Sequence, residues 1–225
     1  MLLLNLTGCS LSFKRKNLST HKSNNNINLE IIKNYSKAIS REPNNFFFYL
    51  ERGRAKHEYG DFKGAIKDYG KLHFFEEYKD QIFYNLASAL LFDFDYKNAI
   101  KNFTKSINYD DKDEYAYLYR GNGKFKLKDY EGSSKDYGMS LKINNRSYIA
   151  FNNRGVSNFK LKNYKIALED FKKSLKINPN NYSTLYNKAL THFELKEIKK
   201  ACNDLKKSIK LGKEVFKGEY FKICP

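Results

Sequence analysis

The chain has 225 residues and a formal net charge of +17, from 42 Lys and Arg against 25 Asp and Glu. No stretch approaches the ~20 apolar residues that span a bilayer as a helix, so no transmembrane helix is expected. The four His (His21, His57, His73, His192) include no pair at metal-ligand spacing on one helix face, and no phosphate loop, dinucleotide turn or nucleophile elbow occurs; no metal, cofactor or catalytic residue is expected.

The chain opens with the apolar run Leu2–Leu6 and then Leu6-Thr7-Gly8-Cys9, followed by "SLSFKRKNLSTHKSNNNIN", which is polar and basic. Leu6-Thr7-Gly8-Cys9 resembles the bacterial lipobox, and the resemblance implies lipidation at Cys9 with residues 1–27 as a truncated signal and tether. The apolar run is shorter than a signal core, so a chance Cys in a cytoplasmic protein is the alternative.

From residue 28 a helical register begins. Ile31, Tyr35, Ala38 and Pro43 place a lone N-terminal capping helix within residues 28–45. Beyond it, Gly53, Ala87, Gly121, Gly155 and Ala189 are spaced by 34 residues, as are Ala65, Ala99, Ser133, Ala167 and Ala201. Phe62, Tyr96, Tyr130, Tyr164 and Ile198 form a third series. A fixed period of this length marks a helical repeat array. With Phe46 as position 1, the units are 46–79, 80–113, 114–147, 148–181 and 182–212. In the first unit one helix is expected from Phe47 to about Tyr59 and a second from about Phe62 to Phe75. Gly60 and Asp61 supply a left-handed helix stop and a cap. Later units put Phe94, Lys128, Lys162 and Lys196 where Gly60 stands, so their turns are expected to carry a small strain or a different cap.

Positions 8 and 20 are small in every unit, and position 24 is large: Tyr69, Phe103, Tyr137, Phe171 and Leu205. Small residues at one crossing and a large group at the next let two helices approach closely. "GDFKGAIKDYGKL", "FDYKNAIKNFTKSI" and "KNYKIALEDFKKSLKINP" resemble the second helix of the tetratricopeptide repeat (TPR). The resemblance covers residues 46 to about 213. It implies an all-α fold, a right-handed α-solenoid of about five helix pairs, with a C-terminal capping helix at 213–225 after Gly212.

Position 7 is Arg52, Arg120 and Arg154 where position 23 is Asp68, Asp136 and Asp170. The second unit has Leu86 with Asn102, and the fifth has Lys188 with Asp204. The two columns vary together, so an ion pair inside each repeat is expected. Cys202 and Cys224 flank Gly212; a fold-back there would bring them together, as a disulfide in an exported protein or as buried thiols in a cytoplasmic one.

In TPR arrays the first helices line the concave groove. Carried onto this chain, the groove positions give Arg54, Tyr84, Asn85, Tyr119, Asn122, Lys126, Asn152, Asn153, Lys160, Tyr186 and Asn187. Tyr and Asn dominate, which suits a peptide backbone or partner helix. The clamp that grips chaperone C-termini starts with Lys and Asn at positions 5 and 9. Here those positions hold Leu50 and Arg54, Tyr84 and Ser88, then Leu118 and Asn122, so such tails are not expected ligands. The expected role is a non-enzymatic interaction scaffold for a protein or peptide, as a lipoprotein of a bacterial cell envelope that is on a membrane only through its lipid anchor. The alternatives are a cytoplasmic adaptor and, since the charge is +17, a binder of nucleic acid or another anionic polymer. Much of the Lys falls on outward positions of second helices, so specific nucleic-acid binding is not expected.

Overall fold

Amphipathic segments that cannot bury their apolar faces alone do so here by pairing with the next segment. The computed structural model describes residues 18–72, 74–212 and 224, which form helices and turns with no strand among the described residues. The helices are α1 (Leu18–Arg41), α2 (Phe46–Tyr59), α3 (Phe62–Gly70), α4 (Lys79–Phe92), α5 (Tyr96–Tyr109) and α6 (Glu114–Lys126). They continue with α7 (Tyr130–Ile143), α8 (Tyr148–Lys160), α9 (Tyr164–Ile177), α10 (Tyr182–Glu194) and α11 (Ile198–Lys210). The chain divides into two compact units, residues 12–123 and 124–225.

In residues 12–123, α1 packs on α2, α2 on α3, α3 on α4 and α4 on α5, and α2 also touches α4. The core of the first repeat gathers Tyr49, Leu50, Ala65, Tyr69, Leu72 and Ile82. Gly53 is required there: a Cβ would lie 2.6 Å from the Tyr69 ring. In residues 124–225 the same order holds, α7 on α8, α8 on α9, α9 on α10 and α10 on α11, with α8 touching α10. Gly155 repeats the crossing, 2.6 Å from the Phe171 ring.

The turns inside repeats follow one plan. Gly60 has φ 98°, and Phe94, Lys128, Lys162 and Lys196 adopt φ of 65°, 65°, 64° and 60°. These four non-glycine residues therefore sit in the left-handed region that disfavours a Cβ. The following acid caps the second helix. Asp61 accepts from the Gly64 amide, Asp95 from Asn98 and Asp129 from Gly132. Asn163 and Glu197 occupy the same place without a side-chain capping bond.

Two elements differ from the sequence expectation. The second helix of the first repeat ends at Gly70, not near Phe75. Gly70 is a poor helix former. Position 27 in this repeat is Leu72, which is buried. In other repeats that position is Ser, and Ser106, Ser174 and Ser208 donate to the carbonyls of Asp80, Tyr148 and Tyr182, the first residues of their repeats. The segment after Leu72 instead makes a short 3-10 turn at Glu76–Tyr78.

The N-terminal helix begins at Leu18, ten residues before the expected 28. Extending a helix already held by packing adds one hydrogen bond per residue, while nucleating one is costly. Cys9 and the rest of residues 1–17 lie outside the described residues, as does all but Cys224 of the C-terminal cap expected at 213–225. Cys224 is buried and bonded to Cys202 of α11, with Cα atoms 5.4 Å apart. No helix among the described residues is long and apolar enough to cross a membrane.

Candidate functional site

The expected intra-repeat ion pairs are present in the first, fourth and fifth repeats and are part of the framework. Arg52 grips Asp68 with two nitrogens at 2.9 and 2.7 Å, and Arg154 grips Asp170 at 2.9 and 2.6 Å. Lys188 reaches Asp204 at 2.9 Å. A third column, at position 11, completes each group. Lys56 binds Asp68 at 2.8 Å, Lys124 binds Asp136 at 2.9 Å, the Asn158 amide lies 3.5 Å from Asp170, and His192 Nε2 lies 3.6 Å from Asp204. The second repeat lacks all three charges, with Leu86, Leu90 and Asn102. These acids are almost wholly buried, so the cations in each group are committed to them and not to a ligand.

Four of the eleven groove candidates converge on one cavity in residues 12–123. It has a volume of ≈ 310 Å³ and is lined by Arg54, His57, Glu58, Tyr69, Tyr84, Asn85, Ser88, Phe92 and Tyr119. First helices α2, α4 and α6 supply every lining residue but Tyr69, which comes from α3. Tyr84 and Tyr119 meet edge to face at 6.3 Å, and both pack on Phe103 beneath, at 5.8 and 6.1 Å. Burial pushes both phenols above their ordinary range. They are therefore neutral hydroxyls at any ordinary pH, able to donate or accept. His57 is held by Phe62 and Phe92, with Ser88 Oγ 3.4 Å from its Nε2. Burial lowers its pKa, so the ring is neutral near pH 7. Arg54 is paired with Glu51 at 2.6 Å, and the exposed Glu58 adds a carboxylate to the rim.

Asn85 is distinct within the cavity. Its Nδ2 is covered by protein and has no hydrogen-bond partner among the described residues. An amide donor left unspent in a covered position costs about 1–3 kcal/mol and is a reason to look for an external acceptor.

The other candidates fall differently. Asn122 is buried, and Lys126 and Lys160 are exposed. Asn152, Asn153, Tyr186 and Asn187 are buried, which corrects their placement on an open groove. The Asn152 carboxamide oxygen accepts from Asn187 and from the Thr184 hydroxyl, both at 3.1 Å, while its amide donates to Asn153 at 3.2 Å. This network joins the fourth and fifth repeats and leaves those side chains little surface to offer. Sequence reasoning reached Arg54, Tyr84, Asn85 and Tyr119 but not Ser88, Phe92 or Tyr69. His57 and Glu58 were reachable, since they stand at positions 12 and 13 of the first repeat. Among the described residues no group of His, Cys, Asp and Glu could hold a metal ion.

Comparison with known proteins agrees with this architecture. Residues 80–113, 148–181 and 182–212 match tetratricopeptide repeat models. No curated protein matches the sequence. Among solved structures, MamA from Desulfovibrio magneticus RS-1 is similar at TM-score 0.71 and 15% identity, covering 75% of this chain and 95% of that one. YrrB, described as a TPR protein with an unusual peptide-binding site, is similar at TM-score 0.67 and 17% identity, covering 79% and 92%. The first TPR of Spaghetti (RPAP3), bound to the HSP90 peptide SRMEEVD, is similar at TM-score 0.51 and 21% identity, covering 52% and 93%. At these identities the likeness is one of fold. The chain is an all-α assembly of helix pairs that carries tetratricopeptide repeats.

Proposed function

We propose that this chain is a non-catalytic scaffold that binds a peptide or a segment of a partner protein, and that the cavity between α2, α4 and α6 is where it does so. The unspent Asn85 amide carries this reading. Asn85 shares with Tyr84 and Tyr119 the lining of a cavity of ≈ 310 Å³, the low end of ligand-pocket sizes and enough for one or two side chains of an extended peptide. Tyr supplies area and a polar tip at low entropy cost, and an amide donor suits a peptide carbonyl. The peptide-binding descriptions of YrrB and of the RPAP3 repeat support the same class of ligand. The acidic chaperone tail of the latter is not the proposed ligand, because no repeat has the Lys at position 5 with which that clamp starts. The test is to pan a random peptide phage library on the full chain and titrate the selected peptides against Asn85→Leu and Tyr119→Ala. Loss of binding in both variants supports the cavity; unchanged binding in both overturns it.

An envelope setting is the accompanying proposal. The Cys202–Cys224 disulfide suits an oxidising compartment, and Leu6-Thr7-Gly8-Cys9 suits lipidation at Cys9. Feeding cells expressing the full-length gene a clickable fatty acid tests it. Label lost in Cys9→Ser supports the anchor, and absence of label refutes it.

A further inference from the structure

We propose a second binding surface, for acidic polypeptide segments, on the second helices of the last two repeats. It is independent of the first-helix cavity and lies within residues 124–225. Lysine is not spread evenly over the second helices. Position 25 is Gly70, Thr104 and Gly138 in the first three repeats and Lys172 and Lys206 in the last two. In α9, positions 18, 25, 26 and 29 are all Lys, and the residues 34 further on in α11 are all Lys again. All eight are exposed. The two stripes are therefore in register on neighbouring repeats.

Between them runs a cleft of ≈ 700 Å³. Lys165 and Lys172 stand on its α9 side, and Lys200 and Lys207 on its α11 side, with Leu168 and Leu195 between. Its carboxylates are taken internally. Glu169 pairs with Lys172 at 2.7 Å, Glu197 with Lys200 at 2.9 Å, and Asp204 with Lys188 at 2.9 Å. Lys165 and Lys207 make no ion pair among the described residues. The cleft thus presents uncompensated positive charge on both walls, over a floor in which Leu168 and Leu195 lie beside His192 and the Lys188–Asp204 pair.

Its form selects the occupant. A bilayer is flat and cannot reach Leu168 or Leu195. No Phe or Tyr lines the cleft, so it offers no platform for stacking the bases of single-stranded nucleic acid. A polypeptide segment carrying carboxylates on its flanks and an apolar side chain between them matches walls and floor together.

The test is fluorescence anisotropy of a labelled Glu-Glu-Leu repeat peptide with the full chain, with a Lys-Lys-Leu peptide, a DNA duplex and phosphatidylglycerol vesicles as rivals. The acidic peptide is expected to bind, and Lys165→Glu with Lys207→Glu to weaken it at least about ten-fold. Both side chains are exposed, so helicity by circular dichroism should be unchanged; the Gln double variant gives a milder loss if it is not. Lys63→Glu with Lys97→Glu, at position 18 of the first two repeats, should leave binding within about two-fold, as should Asn85→Leu. Equal losses from the 63/97 and 165/207 pairs, no loss from the latter, or tighter binding of duplex or vesicles than of the acidic peptide would overturn the proposal.

Discussion

Asp68→Asn should destabilise the fold through the cations it abandons. The Asp68 carboxylate receives Arg52 at 2.9 and 2.7 Å and Lys56 at 2.8 Å. The side chains of Arg52 and Lys56 are only 16% and 15% exposed. Removing the negative charge leaves two mostly covered cations within reach of one neutral amide. Breaking a buried pair in this way costs about 3–5 kcal/mol, and replacing all members with apolar groups is often near neutral. Partial exposure puts the expected loss at the low end, about 3 kcal/mol. The second repeat already holds the apolar solution in Leu86, Leu90 and Asn102. The combination Arg52→Leu, Lys56→Leu and Asp68→Asn should therefore recover most of the loss, to within about 1–1.5 kcal/mol of the parent. Urea denaturation followed by circular dichroism measures both. The single variant should lower the midpoint by roughly 1 M or more. A loss under about 1 kcal/mol, or a triple variant no more stable than the single, would refute the reasoning that the charges are committed to each other.

Lys162→Gly should raise stability by about 0.5 kcal/mol, because relief at φ 64° exceeds the added freedom of the unfolded chain; a fall in urea midpoint would contradict this. Gly155→Ala should cost about 1 kcal/mol net despite the better helix propensity of Ala, since its Cβ would lie 2.6 Å from the buried Phe171 ring; differential scanning calorimetry reads the sign. Reducing Cys202–Cys224, which closes 22 residues, should cost about 3 kcal/mol and lower Tm, with no effect in Cys202→Ser. Burial holds the His57 pKa below its ordinary value. The unfolded state then binds more protons between the folded pKa and about 6.5, so stability is complete above about pH 6.5 and falls as pH drops below it. His57→Phe should flatten that part of the urea-midpoint profile.

The sequence made the helix crossings legible because volume alone decides them. Gly53 opposite Tyr69 and Gly155 opposite Phe171 show as columns. The Arg–Asp pairs were legible because both members change together when Leu86 meets Asn102. The third partner was hidden, since Lys56, Asn158 and His192 share no chemistry except an ability to donate to the same acid. Asn152 and Asn187 show the opposite failure. Their positions are those of a groove, but Thr184 and Asn187 of the next repeat supply the hydrogen bonds that a ligand would have used. Asn85 is in the same column as Asn153 and Asn187, yet its amide remains unspent. Only geometry separates a satisfied amide from an unsatisfied one. The early end of α3 at Gly70 turned on one glycine and on Leu72 replacing the serine of other repeats.

The central claim is that ligand binding belongs to the first helices of residues 12–123. Hydrogen exchange of the full chain with a phage-selected peptide, followed by mass spectrometry, tests it directly. Slowed exchange concentrated in α2 and α4 on peptide addition is the predicted result. Slowing confined to α9 and α11, or no slowing anywhere, would contradict it.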